Sequence, residues 1–96
     1  MTYYVYLIKS KNIKSKVEYT YVGYTNNLIE RIKKHNEGKG AKFTKGKKWK
    51  LIYYEVFSKK IDAMKREYRL KKDNKNRNLI KKTMKLSLII KNKLLF

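Results

Sequence analysis

The chain has no cysteine, no proline, four glycines and only seven acidic residues among its 96. Each shortage closes a route. Without cysteine there is no disulfide staple, no thiolate metal site and no thiol nucleophile. The acidic residues, Glu18, Glu30, Glu37, Glu55, Asp62, Glu67 and Asp73, form no cluster along the chain. That argues against a two-metal centre, which needs several convergent carboxylates. The single histidine, His35, has no aspartate at a spacing that suggests a nucleophile triad. Gly38-x-Gly40 does not follow a strand, so it is no phosphate-binding loop of the Walker kind. No apolar run approaches the roughly 20 residues that a membrane span requires. Met1 leads straight into strand-like sequence that does not resemble a signal peptide, so no membrane partner is expected and the cytoplasm is the expected location.

What the chain has is positive charge. Lysine and arginine number 27, for a net charge of +20, and 42% of the residues are apolar. A chain of this length makes one small domain with a single modest core. Its charge favours a polyanionic partner, because each cation placed on a phosphate releases counterions. The abundance of lysine beside Asn, Ile and Tyr also fits the codon usage of an AT-rich genome. The four arginines, Arg31, Arg66, Arg69 and Arg77, therefore carry more weight than any one lysine.

Residues 3–8 alternate as a strand, with Tyr4 and Tyr6 on one face and Tyr3, Val5 and Leu7 on the other. Residues 9–17 read as a polar hairpin loop, and residues 18–24 as a second strand with Tyr19, Tyr21 and Gly23 on one face. Antiparallel pairing brings Tyr6 and Tyr21 near each other across the ladder. Asn26 and Asn27 offer cap oxygens for a helix over about 27–36, which Gly38 ends. Residues 51–57 are a third strand, and Ser58 is placed to cap a second helix with Ile61, Met64 and Tyr68 as its buried stripe. Ala63, Glu67 and Leu70 form a neighbouring stripe. Asp73–Asn78 reads as a polar break before a further helix, with Leu79, Ile80, Met84 and Leu88 facing inward. The tail, Leu86–Phe96, is mostly apolar and either completes the core or offers a surface to a second copy or another protein.

The stretch from Tyr19 to His35 concentrates the chemistry. A strand tyrosine is delivered beside Arg31 and His35, which stand four apart on one helix face. On a lysine-rich helix the histidine is expected at the surface, free for catalysis or simply solvated. Glu67, at the edge of an apolar stripe, is either a metal ligand or half of a salt bridge. The glycine-containing basic loop over residues 38–50 is either a phosphate cradle or a solvated loop; with Lys34 on the helix before it, its Lys39, Lys42, Lys45, Lys47 and Lys48 are the candidate nucleic-acid contacts. Phosphodiester chemistry then has one coherent cast: a tyrosine or histidine acting on water, a cation on the phosphoryl oxygens and one carboxylate on a metal.

Tyr4-Val5-Tyr6 followed by Tyr21-Val22-Gly23 resembles the paired tripeptide of the GIY-YIG nuclease superfamily. The likeness continues through Thr25, Leu28, Arg31 and His35, the run Gly38–Thr44, Asp62–Glu67 and then Leu70-Lys71-Lys72. It covers about residues 2–80 and is strongest to small single-domain bacterial members. The resemblance implies an α+β fold, a three-stranded antiparallel sheet flanked by helices, over residues 1–82, with 83–96 as a C-terminal extension. It implies a metal-dependent endonuclease acting on DNA ahead of RNA. The alternative is a nucleic-acid-binding module that keeps the fold and cleaves slowly or not at all. Tyr6 and Tyr21 would line the site, one of them orienting or deprotonating water. Arg31 would stabilise the phosphoryl charge, His35 would assist proton transfer and Glu67 would hold a single Mg²⁺ or Mn²⁺. Three features depart from the family pattern: Tyr4 replaces the first glycine, the segment between the tyrosines is longer, and none of Asn74, Asn76 or Asn78 takes the place of a family asparagine.

Overall fold

The computed structural model describes residues 1–11 and 15–94. Strands β1 (Tyr3–Lys11), β2 (Glu18–Thr25) and β3 (Lys50–Phe57) form an antiparallel sheet in the order β2-β1-β3. Helix α1 (Leu28–Asn36) lies between β2 and β3 in sequence, and α2 (Lys60–Lys72) and α3 (Asn74–Leu94) follow β3. β1 is central, and its Val5, Tyr6, Leu7 and Ile8 are all fully buried because both sheet faces are covered. On one face Val5, Leu7 and Val22 pack with Ala63, Leu70 and Ile80 of the two later helices. On the other, Tyr6, Ile8 and Trp49 pack with Tyr21, Leu28 and Ile32. Each fully buried aliphatic side chain contributes roughly 1.5–3 kcal/mol relative to exposure.

The ends of α1 follow their expected chemistry. Asn27 Oδ1 accepts from Glu30 N at 3.2 Å, supplying one of the orphan donors of the first turn. Gly38 takes φ +76° just past the helix, a region that a residue with a Cβ rarely adopts.

Five expectations need correction. The loop expected over 9–17 is shorter, because residues 9–11 continue β1 and pair with β2. Ser58 does not cap α2; Lys59 occupies that position, with no side-chain cap. The buried stripe of α2 is Ala63 and Leu70, while Ile61, Met64 and Tyr68 are exposed. The helix docks through its smallest residue, and that choice sets its flanks. Arg66 is turned onto Glu55 of β3 with two hydrogen bonds of 2.9 Å, and Tyr53 Oη donates to the same carboxylate at 2.6 Å. The polar break shrinks to Asp73 alone, whose carboxylate accepts from Asn76 N and starts α3 at once. Ile80 and Met84 face the core as expected, but Leu79 is exposed. The expectations for Leu88 and for the side chains of the tail lie outside the described residues. α3 runs without a break through residue 82.

Candidate active site

The site is built where Tyr6 crosses a strand that has no side chain beneath it. Tyr6 pairs with Gly23 in the ladder, and Tyr21 pairs with Ile8, so the two tyrosines are diagonal neighbours. A Cβ on Gly23 would overlap the hydroxyl and Cζ of Tyr6. The glycine lets the ring lie across β2 and reach α1. There Tyr6 Oη and His35 Nε2 are 2.7 Å apart, both residues fully buried, and Arg31 Nε donates to the same oxygen at 3.4 Å.

His35 is thus not the surface residue that its lysine-rich neighbourhood suggests. The loop from 38 to 49 folds over it. Gly40 passes so close that a Cβ there would overlap Nδ1, and Nδ1 lies 2.8 Å from Thr44 Oγ1. The loop is fastened to α1 by Asn36 Nδ2, which donates to the Trp49 carbonyl at 3.2 Å, and to itself by Trp49 Nε1, which donates to the Thr44 carbonyl at 2.9 Å. Tyr21 closes the remaining side, its ring edge-on to His35 at 5.1 Å and stacked with Phe43 at 6.4 Å.

This enclosure sets the electrostatics. Burial, with the Arg31 charge beside it, pushes the His35 imidazolium down to about pH 4, so the ring is neutral near pH 7. Burial pushes the Tyr6 phenol up to about 12, partly offset by the hydrogen bond and charge of Arg31; Tyr21 and Glu67 add to the rise. Tyr6 therefore holds its proton near pH 7, and the direction of its bond to His35 depends on which ring nitrogen carries hydrogen.

Glu67 lies on α2 and is half-buried. Its carboxylate is mostly shielded and pairs with Lys71 Nζ at 3.2 Å, and the same ammonium lies 5.5 Å from the Tyr21 ring centroid. Among the described residues no three His, Cys, Asp or Glu side chains gather in one place. A single hard carboxylate is the kind of donor that an ion such as Mg²⁺ takes from a protein, one or two at a time.

The candidate phosphate-contacting lysines separate into groups. Lys39, Lys42, Lys45 and Lys48 are exposed around the loop. Lys34 joins Arg31, Lys60, Tyr3 and Tyr24 in lining a cavity of about 390 Å³ beside the site. Lys47 is folded back onto its own loop: its Nζ donates to the Phe43 carbonyl at 3.0 Å and sits 5.0 Å from the Tyr19 and Phe43 ring centroids. Asn74 accepts from Arg77, a local contact at the start of α3. No individual role for Gly40, Thr44, Trp49 or Asn36 is legible in the sequence, although the run Gly38–Thr44 that carries the family likeness contains the first two.

The profile of the GIY-YIG catalytic domain matches residues 2–83. The chain belongs to the GIY-YIG family. The UPF0213 protein CPE1444 of Clostridium perfringens is 48% identical over 77 residues, which cover 79% of this chain and 77% of that one. The UPF0213 protein SH2523 of Staphylococcus haemolyticus is 44% identical, over 80% of this chain and 89% of its own length. The solution NMR structure of the UPF0213 protein BH0048 of Bacillus halodurans is 38% identical, spans 92% of this chain and 85% of that one, and superposes with a TM-score of 0.42. GIY-YIG is a family of nucleases, while the names of these relatives state no activity. In GIY-YIG terms the two tripeptides of this chain are the partnered segments of β1 and β2, and Gly23 of the second is what accommodates Tyr6 of the first.

Proposed function

We propose that this GIY-YIG protein is a metal-dependent endonuclease that hydrolyses phosphodiester bonds in DNA with weak sequence specificity. The observation that carries the reading is the buried Tyr6–His35 hydrogen bond, with Arg31 on the same oxygen and Glu67 near enough to raise the Tyr6 pKa. Tyr6 Oη takes a proton from the attacking water as its own proton passes to His35 Nε2. Tyr6 stays neutral throughout and never has to exist as the free phenolate that its pKa disfavours; the proton ends on His35, whose imidazolium, destabilised by burial, returns it to solvent after the step. The new P–O bond forms from that water oxygen, and the leaving strand oxygen departs with the bonding pair and is protonated from solvent. Arg31, whose Nε is engaged by Tyr6, has its terminal N–H groups for the phosphoryl oxygens. Glu67 would hold one divalent ion, Mg²⁺ or Mn²⁺, which supplies positive charge at the leaving oxygen. Tyr21 forms the site wall that excludes water from His35.

Weak specificity follows from a small basic surface that meets mainly phosphates, since phosphate contacts carry no sequence information. Residues 1–82 are the nuclease domain in this reading, 83–96 its extension, and the cytoplasm its place of action. Among the described residues no helix is long and apolar enough to cross a membrane.

The test is cleavage of a panel of single-stranded, duplex, nicked and branched DNA and of RNA, with Mg²⁺ or Mn²⁺, using wild type beside Glu67→Ala. Metal-dependent cleavage by the wild type, lost in the variant with binding retained, is expected. Binding without cleavage on every substrate would instead make the chain a nucleic-acid-binding module.

A further inference from the structure

We infer that Thr44 is a positioning residue that decides which nitrogen of His35 carries the proton. The inference rests on the nuclease reading for its catalytic consequence, but not for its structural content. A neutral imidazole has one N–H and one lone pair, and only the tautomer with the lone pair on Nε2 can accept the Tyr6 proton. Imidazole side chains in water favour the other tautomer, with hydrogen on Nε2. Something in the protein has to reverse that preference.

The geometry around Thr44 does so. Its hydroxyl has a single hydrogen and two close neighbours, His35 Nδ1 at 2.8 Å and the Ala41 carbonyl at 2.8 Å. The carbonyl can only accept. The hydroxyl hydrogen therefore goes to Ala41, and the hydroxyl oxygen accepts from Nδ1–H. In the opposite arrangement the hydrogen turns to Nδ1, leaving two oxygens 2.8 Å apart with no proton between them, in a buried place where that repulsion is poorly screened. The result is a one-way chain: Arg31 N–H to Tyr6 Oη, Tyr6 O–H to His35 Nε2, His35 Nδ1–H to Thr44 Oγ1, Thr44 O–H to the Ala41 carbonyl.

Thr44 is also held rigidly enough to impose this. It is fully buried in a single turn of 3₁₀ helix, Lys42–Thr44. Its N–H donates to the same Ala41 carbonyl at 3.1 Å, and its own carbonyl accepts the Trp49 indole. The basic loop is in this sense the mount for a hydroxyl, whatever its lysines do.

His35 is the only histidine in the chain, so ¹⁵N–¹H correlation spectra of histidine-labelled protein report one ring. At pH 7 the wild type should show Nδ1 protonated and Nε2 bare. Thr44→Val keeps the volume and removes the hydroxyl; it should move the ring to the Nε2–H form or a mixture, and Thr44→Ser should restore the wild-type pattern. Cleavage by Thr44→Val should fall roughly 10²-fold or more, within the range a general base supplies, with DNA affinity unchanged and activity rescued in Thr44→Ser. A wild-type spectrum with hydrogen on Nε2 overturns the inference whether or not any variant folds, as does an unaltered tautomer in Thr44→Val. If the tautomer shifts as stated and the wild type cleaves nothing, the nuclease reading fails and the role of Thr44 stands.

Discussion

Gly23→Ala adds one methyl group at the point where Tyr6 crosses β2. The φ of Gly23 is one that other residues adopt, so backbone strain plays no part, and the effect is steric. The added Cβ would overlap the Tyr6 hydroxyl and Cζ, and the ring cannot swing away because Tyr6 is fully buried against His35 and the sheet. Overpacking of this kind costs about 1–3 kcal/mol, offset by about 0.4–1 kcal/mol because alanine restricts the unfolded chain. A net loss of about 1–2 kcal/mol is expected, which for a domain of this size lowers Tm by roughly 4–8 °C per kcal/mol. Trp49, the only tryptophan and nearly buried beside this cluster, is a natural fluorescence probe for urea unfolding. The larger effect falls on chemistry: displacing Tyr6 by about 1 Å lengthens its bond to His35 and should slow cleavage by roughly 10²-fold. Unchanged stability together with unchanged cleavage would refute the close approach of Tyr6 to Gly23.

Two other perturbations have worked directions. The His35 imidazole is held at about 4 in the folded chain against 6.5 when free, so between these values the unfolded state binds more protons and stability falls with falling pH. The loss between pH 6.5 and about pH 5 should be roughly 1.5 kcal/mol, read by urea titration, and absent from a folded His35→Phe variant. Alanine at Lys39, Lys42, Lys45 or Lys48 should each reduce the slope of log K against log salt for DNA by about 0.7–0.9 where the lysine meets a phosphate. Lys47→Ala should leave that slope alone and cost about 0.5–1 kcal/mol of stability through its lost ring contacts.

The sequence makes some of these features legible and hides others for physical reasons. Strand alternation and turn chemistry find β1, β2, β3 and the two ends of α1, because those signals are local: Asn27 bonds three residues on, and Gly38 answers to its own φ. The burial of His35 is set by Gly40, Thr44 and Trp49, which come from a later loop, so the lysines beside it on the helix point the wrong way. On α2, hydrophobicity favours Ile61, Met64 and Tyr68 over Ala63. The helix nevertheless approaches the sheet by its smallest side chain, where Arg66 can meet Glu55. Helical spacing pairs Arg31 with His35 and stripe position marks Glu67, while the family resemblance gives these residues and Tyr6 their individual roles. The structure brings Tyr6, Arg31 and His35 into direct hydrogen-bonding reach, and links Glu67 to Tyr21 through Lys71.

The central claim is that Tyr6 passes a proton to His35 as water attacks. Cleavage by Tyr6→Phe, measured beside DNA binding under saturating metal, tests it most directly. The variant keeps the ring and removes one oxygen, so it should fold, bind DNA as the wild type does, and cleave roughly 10²–10⁴-fold more slowly. Cleavage at the wild-type rate by a folded Tyr6→Phe protein would contradict the account.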